Sequence, residues 1–111
     1  MFGNHDYRKM VLKDRWDKIG KALERGDACT ASLIAAACGC QASDGSFNTL
    51  IALLRHSDHG VRVAALRSLA KVGGNNAAAN ISWLRDHTPP DDTELLGAIH
   101  DALAGIREHN A

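Results

Sequence analysis

Aromatic residues are scarce in this chain, at 5% of 111 residues. The β-branched and aromatic runs from which strands are built are missing with them, which argues against a sheet protein. An excess of charge of either sign is also lacking, since 13 Lys and Arg stand against 13 Asp and Glu. Bulk electrostatics therefore gives no pull toward nucleic acid or an anionic membrane surface, and neither is expected as a partner. No uninterrupted apolar run approaches the roughly 18 residues of a membrane span. The opening MFGNHDYRKM is polar and has no apolar segment of the kind a signal peptide needs. Cysteine is limited to Cys29, Cys38 and Cys40, an odd count that makes a poor disulfide framework. The expectation is a soluble, cytoplasmic protein with reduced thiols.

What is present is aliphatic. Hydrophobic residues make up 45% of the chain, and Ala, Leu, Ile and Val carry nearly all of that share. Ala and Leu are strong helix formers that lose little side-chain entropy, so the composition suits closely packed helices in one domain.

Past a frayed start through His5, a helical pattern begins near Tyr7. Leu12, Trp16, Ile19 and Leu23 form one stripe, with charges filling the opposite face. Gly26 stops this helix and Asp27 starts the next. That next segment, CTASLIAAACGC, is small and apolar almost all round, as befits an inner helix buried on more than one side. A turn cluster at 43–46 lets Ser46 cap a helix from Phe47 to about His56. Asp58 stands in the following break, and Val61 opens a helix with Val61, Ala64, Ala65, Leu69 and Val72 inward. Gly73-Gly74 ends it. Asn75 or Asn76 is placed to cap a helix carrying Ala78, Ile81, Trp83 and Leu84. Pro89-Pro90 is a firm stop. Asp91 and Glu94 have capping-box spacing before a last helix with Leu95, Leu96, Ile99, Ala102, Leu103 and Ile106 inward, and a polar tail from Arg107.

The chain repeats itself. A shift of 31 brings Asp27 onto Asp58, Ile34 onto Ala65 and Cys38 onto Leu69. A shift of 34 brings Val61 onto Leu95, Ala65 onto Ile99 and Val72 onto Ile106. One helix pair cannot bury its apolar faces alone, and stacking neighbours on each side makes a continuous core. The predicted fold is all-α, a short α-α superhelix of about three helix pairs in a single domain over 1–111, with units near 7–42, 46–74 and 76–109.

The middle unit, LIALLRHSDHGVRVAALRSLAKVGG, resembles a HEAT repeat of the short, phycobilisome-lyase type. The resemblance rests on Leu50, Leu53 and Leu54, on Asp58 in the turn, on Val61-Arg62 and Ala64-Ala65, and on Leu69 with Val72-Gly73. It covers about a quarter of the chain. The outer units depart from the pattern, with Thr30-Ala31 and Leu95-Leu96 in place of the Val-Arg pair. The resemblance implies a structural ladder in which Arg62 pairs with Asp27 of the preceding unit or with its own Asp58. It also implies a non-catalytic scaffold or adaptor that binds protein partners on its second helices, where Arg62, Arg67, Lys71 and His100 are the candidate contacts.

Chemistry-bearing alternatives are weaker. His56 and His59 lack a third strong metal ligand nearby. Cys38-Gly-Cys40 is one spacer short of the metal and redox motif, and residues two apart on a helix diverge. His100 and Asp101 are helical neighbours and do not face each other. No metal, cofactor or enzymatic activity is expected. Trp16 and Trp83 are read as core residues, with an exposed anchor for a partner as the alternative for either. The alternative to an adaptor is a self-assembling module joined through the ends of the stack. An enzyme-associated lyase subunit and a nucleic-acid-binding helical repeat are more distant readings.

Overall fold

The computed structural model describes residues 6–110, with side chains through Glu108. Every regular element among them is an α-helix: α1 (Tyr7–Leu12), α2 (Trp16–Arg25), α3 (Ala28–Cys38), α4 (Asp44–Leu53), α5 (His59–Val72), α6 (Asn75–Asp86) and α7 (Thr93–Asn110). The frayed start expected through His5 lies outside the described residues, and so does Ala111. The polar tail expected from Arg107 is instead helical as far as Asn110.

The first expected helix is two. Asp14 has a φ of 55°, the left-handed conformation that closes a helix. The Arg15 N–H reaches back to the Met10 carbonyl at 2.8 Å and the Asp14 N–H to the Val11 carbonyl at 3.1 Å, the paired bonds of a Schellman ending with Asp in the usual glycine position. The Trp16 indole N–H then donates to the Asp14 carboxylate. This break shifts the phase of the apolar stripe: Val11 is buried and Leu12 is exposed. In α2, Ile19 is buried, while Trp16 and Leu23 pack half-buried at the edge of the core.

Other boundaries move for local reasons. Ser43 caps α4 through the Ser46 N–H at 3.1 Å, and Ser46 is itself buried. Gly74 takes the cap position of α6 without a side-chain bond. Asp92, not Asp91, accepts the Leu95 N–H and starts α7.

The helices lie in two layers. α5 packs on α3 and on α7, so the three second helices form a row; α4 and α6 each pack against the helix that follows them, and α1 packs on both α2 and α3. The shortest dimension of the molecule is 18 Å, about two helix diameters. One core runs through the row and includes Ile34, Leu50, Val61, Leu66, Leu69, Ile81, Leu95 and Ile99. α5 is its centre, buried along Val61, Val63, Ala65, Leu66, Ser68 and Leu69. Small residues set the spacing. A Cβ on Gly105 would stand 3.2 Å from Ala70, so α5 and α7 cross closely there.

The two sides of the row differ. On α3, Gly39 approaches Ser68 of α5, while Thr30 lines a groove with Tyr7 and Met10 of α1. Thr30 and Gly39 are nine positions apart, half a turn out of phase, so α1 and α5 cover opposite sides of α3. On α7, Gly105 faces α5, and Leu96, also nine positions away, faces outward.

Candidate functional site

The repeat is most visible in its caps. Asp27, Asp58 and Asp92 each accept a backbone N–H three residues on, from Thr30 at 3.0 Å, Val61 at 3.1 Å and Leu95 at 3.2 Å. They start α3, α5 and α7, the three helices of the row. An unpaired amide at a helix N-terminus needs such an acceptor, and an acidic one also meets the positive end of the helix dipole. The Thr30 backbone N–H, then its hydroxyl, holds the Asp27 carboxyl below the usual range. Asp92 is lowered first by its hydrogen bond from His59, with the Leu95 N–H adding to it.

The Arg62 ladder implied by the family resemblance is not formed. Among the described residues Arg62 forms no ion pair with Asp27 or Asp58. Its Nη1 donates to the His56 carbonyl at 3.2 Å, and its Nε is buried without a hydrogen-bond partner. Both aspartates are already engaged as caps, and Arg62 sits three residues into α5, beside the loop it secures. The link between the starts of α5 and α7 comes from His59. Its Nε2 lies 2.9 Å from Asp92 Oδ1 and its Nδ1 lies 3.2 Å from Glu94 Oε1. The first turn of α5 is thereby tied to the first turn of α7.

The four residues expected on a partner surface do not share one site. Arg67 and Lys71, one turn apart on α5, are exposed in a groove of about 560 Å³ against α7, with Glu94 and Asp101 on its other wall and Val63, Leu66, Ala70, Ala98 and Ala102 lining it. His100 is on the far side of α7, in a larger groove of about 780 Å³ formed with α6. It leans on Asp101 at 3.5 Å, with both side chains well solvated. Arg62 is half-buried at the loop end of α5.

An exposed aromatic cluster was not foreseen. Trp83 is 38% exposed rather than a core residue. The His87 ring stacks on it with centroids 4.1 Å apart, and the Arg55 guanidinium lies 4.0 Å from the indole centroid. The i, i+4 spacing of Trp83 and His87 was available in the sequence. Arg55 comes from the end of α4 and carried no such signal.

The thiols divide by burial. Cys38 is buried at the position that matches Leu69, and burial, with Cys40 close by, pushes its thiol up to about 12. Cys29 and Cys40 are exposed. His56 uses its Nδ1 to accept the Asp58 N–H within the loop. Among the described residues no three His, Cys, Asp or Glu side chains converge as metal ligands, and no helix is long and apolar enough to cross a membrane.

Comparison with known proteins adds no relative: no family model matches the chain, and neither a curated protein nor a solved structure does, so its resemblance to HEAT repeats rests on the residues of the middle unit alone.

Proposed function

We propose that this chain is a non-catalytic protein-interaction scaffold, a short α-α superhelix of three HEAT-like pairs that engages a protein partner on the shared surface of its second helices. The superhelical reading is supported by the cap register. Asp27, Asp58 and Asp92 recur at the same two shifts, 31 and 34, that align the apolar positions, and each begins a helix of the row. The observation that carries the functional reading is the α5–α7 groove. There the side chains of Arg67 and Lys71 stand across an apolar floor from Glu94 and Asp101. Such a groove offers a partner both signs of charge at fixed positions, which gives register and specificity more than raw affinity. A cytoplasmic setting belongs to the same reading and is supported by three free cysteines.

A photo-crosslinking residue placed at Arg67 tests the proposal in the native host. A discrete adduct with one protein, absent when the crosslinker is moved to exposed Leu12 and lost in Lys71→Glu, is the expected result. Equal adducts from both positions, or none from Arg67, would refute it.

A further inference from the structure

The outward side of α7 is the place where the row is left uncovered. α3 has α1 on one side and α5 on the other; α5 lies between α3 and α7; among the described residues α7 packs on α5 and on α6, and its side away from α5 has no further second helix. Its outward stripe, half-buried Leu96 and Leu103 above the buried Ile99 and Ile106, joins Ala78 of α6 as the floor of the groove of about 780 Å³. The remaining described lining residues are Asn75, Arg85, His100 and Arg107, so among the described residues the rim carries basic side chains and no carboxylate. Arg85 and His100 do have acidic neighbours, Asp86 at 3.8 Å and Asp101 at 3.5 Å. Both pairs join adjacent residues in open solvent, where such pairs contribute little.

We infer that this groove holds a short amphipathic helix from a partner protein, with an apolar stripe toward Leu96 and Leu103 and acidic residues toward Arg85, His100 and Arg107. The opposite side of the row shows the form of the contact: α1 covers α3 with one helix that buries Val11 and packs Tyr7 and Met10 against the core. The α7 stripe from Leu96 to Ile106 spans about 15 Å, room for roughly three turns of a docked helix. Such a helix would anchor through apolar residues at i, i+3 or i+4, and i+7.

Charge selects against a second copy of this chain as the occupant. Two α7 grooves set face to face would oppose Arg85 and Arg107 with themselves. A head-to-tail contact would bring that rim against the α1–α2 groove, which is lined by Lys18, Lys21 and Arg25. Like charges across an interface suppress pairing, whereas carboxylates on a partner helix complement the rim.

The test uses the full chain and a fluorescent synthetic helix of about three to four turns, with leucines at i, i+3, i+4 and i+7 and glutamates on the flanks. Saturable anisotropy is expected, with a Lys-flanked version of the peptide binding at least about tenfold more weakly. Arg107→Glu, an exposed change that leaves the core intact, should weaken the glutamate peptide by a similar factor, and Leu103→Glu should abolish its binding. Arg67→Glu should leave it unchanged, which separates this groove from the α5–α7 surface. Three outcomes would overturn the inference: no binding of the glutamate peptide, equal binding of the lysine peptide, or a concentration-dependent dimer that Leu103→Glu dissolves.

Discussion

Ser68 offers the sharpest contest between the repeat pattern and the structure. At the shifts of 31 and 34, Ser68 corresponds to Ala37 and Ala102, both buried alanines. On the repeat pattern alone, Ser68→Ala regularises the row and costs nothing. The structure says otherwise. The Ser68 hydroxyl donates to the Ala35 carbonyl at 2.6 Å, across the α3–α5 contact. At the end of α3 the Gly39 N–H turns to the Ala36 carbonyl rather than to that of Ala35, so the serine supplies the donor that the helix ending withdraws. Alanine would leave the carbonyl buried without the serine donor. Losing the bond and stranding the acceptor costs about 1–3 kcal/mol. For a domain of this size each kcal/mol moves Tm by roughly 4 °C, so the midpoint should fall by about 4–12 °C. Urea unfolding should show a lower midpoint with an unchanged m-value. Ser57→Ala, in an exposed loop, is the control and should stay within about 0.5 kcal/mol of the parent. If Ser68→Ala also stays within about 0.5 kcal/mol, the hydroxyl is not the missing donor and the reasoning fails.

Other expectations follow from the same geometry. A Cβ on Gly39 would stand 2.8 Å from the Ser68 hydroxyl; Gly39→Ala should therefore destabilise, and a double-mutant cycle with Ser68→Ala should show favourable coupling of about 0.5 kcal/mol or more. At Gly45 a Cβ would run into the Trp16 ring, so Gly45→Ala should lower the urea midpoint despite alanine's better helix propensity; a raised midpoint would contradict the packing. Asp92 has a depressed folded value, caused chiefly by His59. Its contribution is complete above the ordinary carboxylate range near pH 4 and is lost as pH falls through the folded value. His59→Ala should accordingly raise the Asp92 carboxyl titration, followed by carbon NMR, and flatten the acid limb of stability against pH. In the native protein a thiol reagent at pH 8 should label Cys29 and Cys40 quickly and Cys38 only with unfolding, because Cys38 is buried with its thiol pushed up to about 12; prompt labelling of all three would refute the burial.

Periodicity and cap chemistry carried most of the architecture. The break at Pro89-Pro90, the cap at Asp27, and the inward placement of Val61, Ala65 and Leu69 were legible because each depends on local residues in the right phase; the cap role of Asp58 was not read, Ala64 and Val72 are only half-buried, and Val63, Leu66 and Ser68 are buried in addition. The division at Asp14 was hidden. A helix ending normally announces itself with glycine, and here an aspartate takes the left-handed position, held by a tryptophan two residues on. That error carried over to Leu12, whose exposure follows from the break. Ser46 was a reasonable cap by type, but Ser43 lies one turn earlier and Ser46 is needed inside. The site was less legible than the fold. Arg67 and Lys71 share a face because they are one turn apart, whereas His59 meets Asp92 and Glu94 through packing that no local pattern encodes. Trp83 was assigned inward from its chemistry, yet its surface position depends on Arg55, a partner distant in sequence.

On the superhelical reading proposed above, the left-handed residue at Asp14 also decides how far the row could be lengthened. A straight helix over 7–25 would run about 28 Å and leave the Thr30 side of α3 bare, a template for another pair. By turning α1 back across α3, one residue terminates the array in that direction. Additional units can be grafted only beyond α7, where each would find the same docking edge renewed by the unit before it. A designed fourth pair fused after residue 110 should extend the stack. The same pair fused ahead of α2 must first displace α1 from its seat.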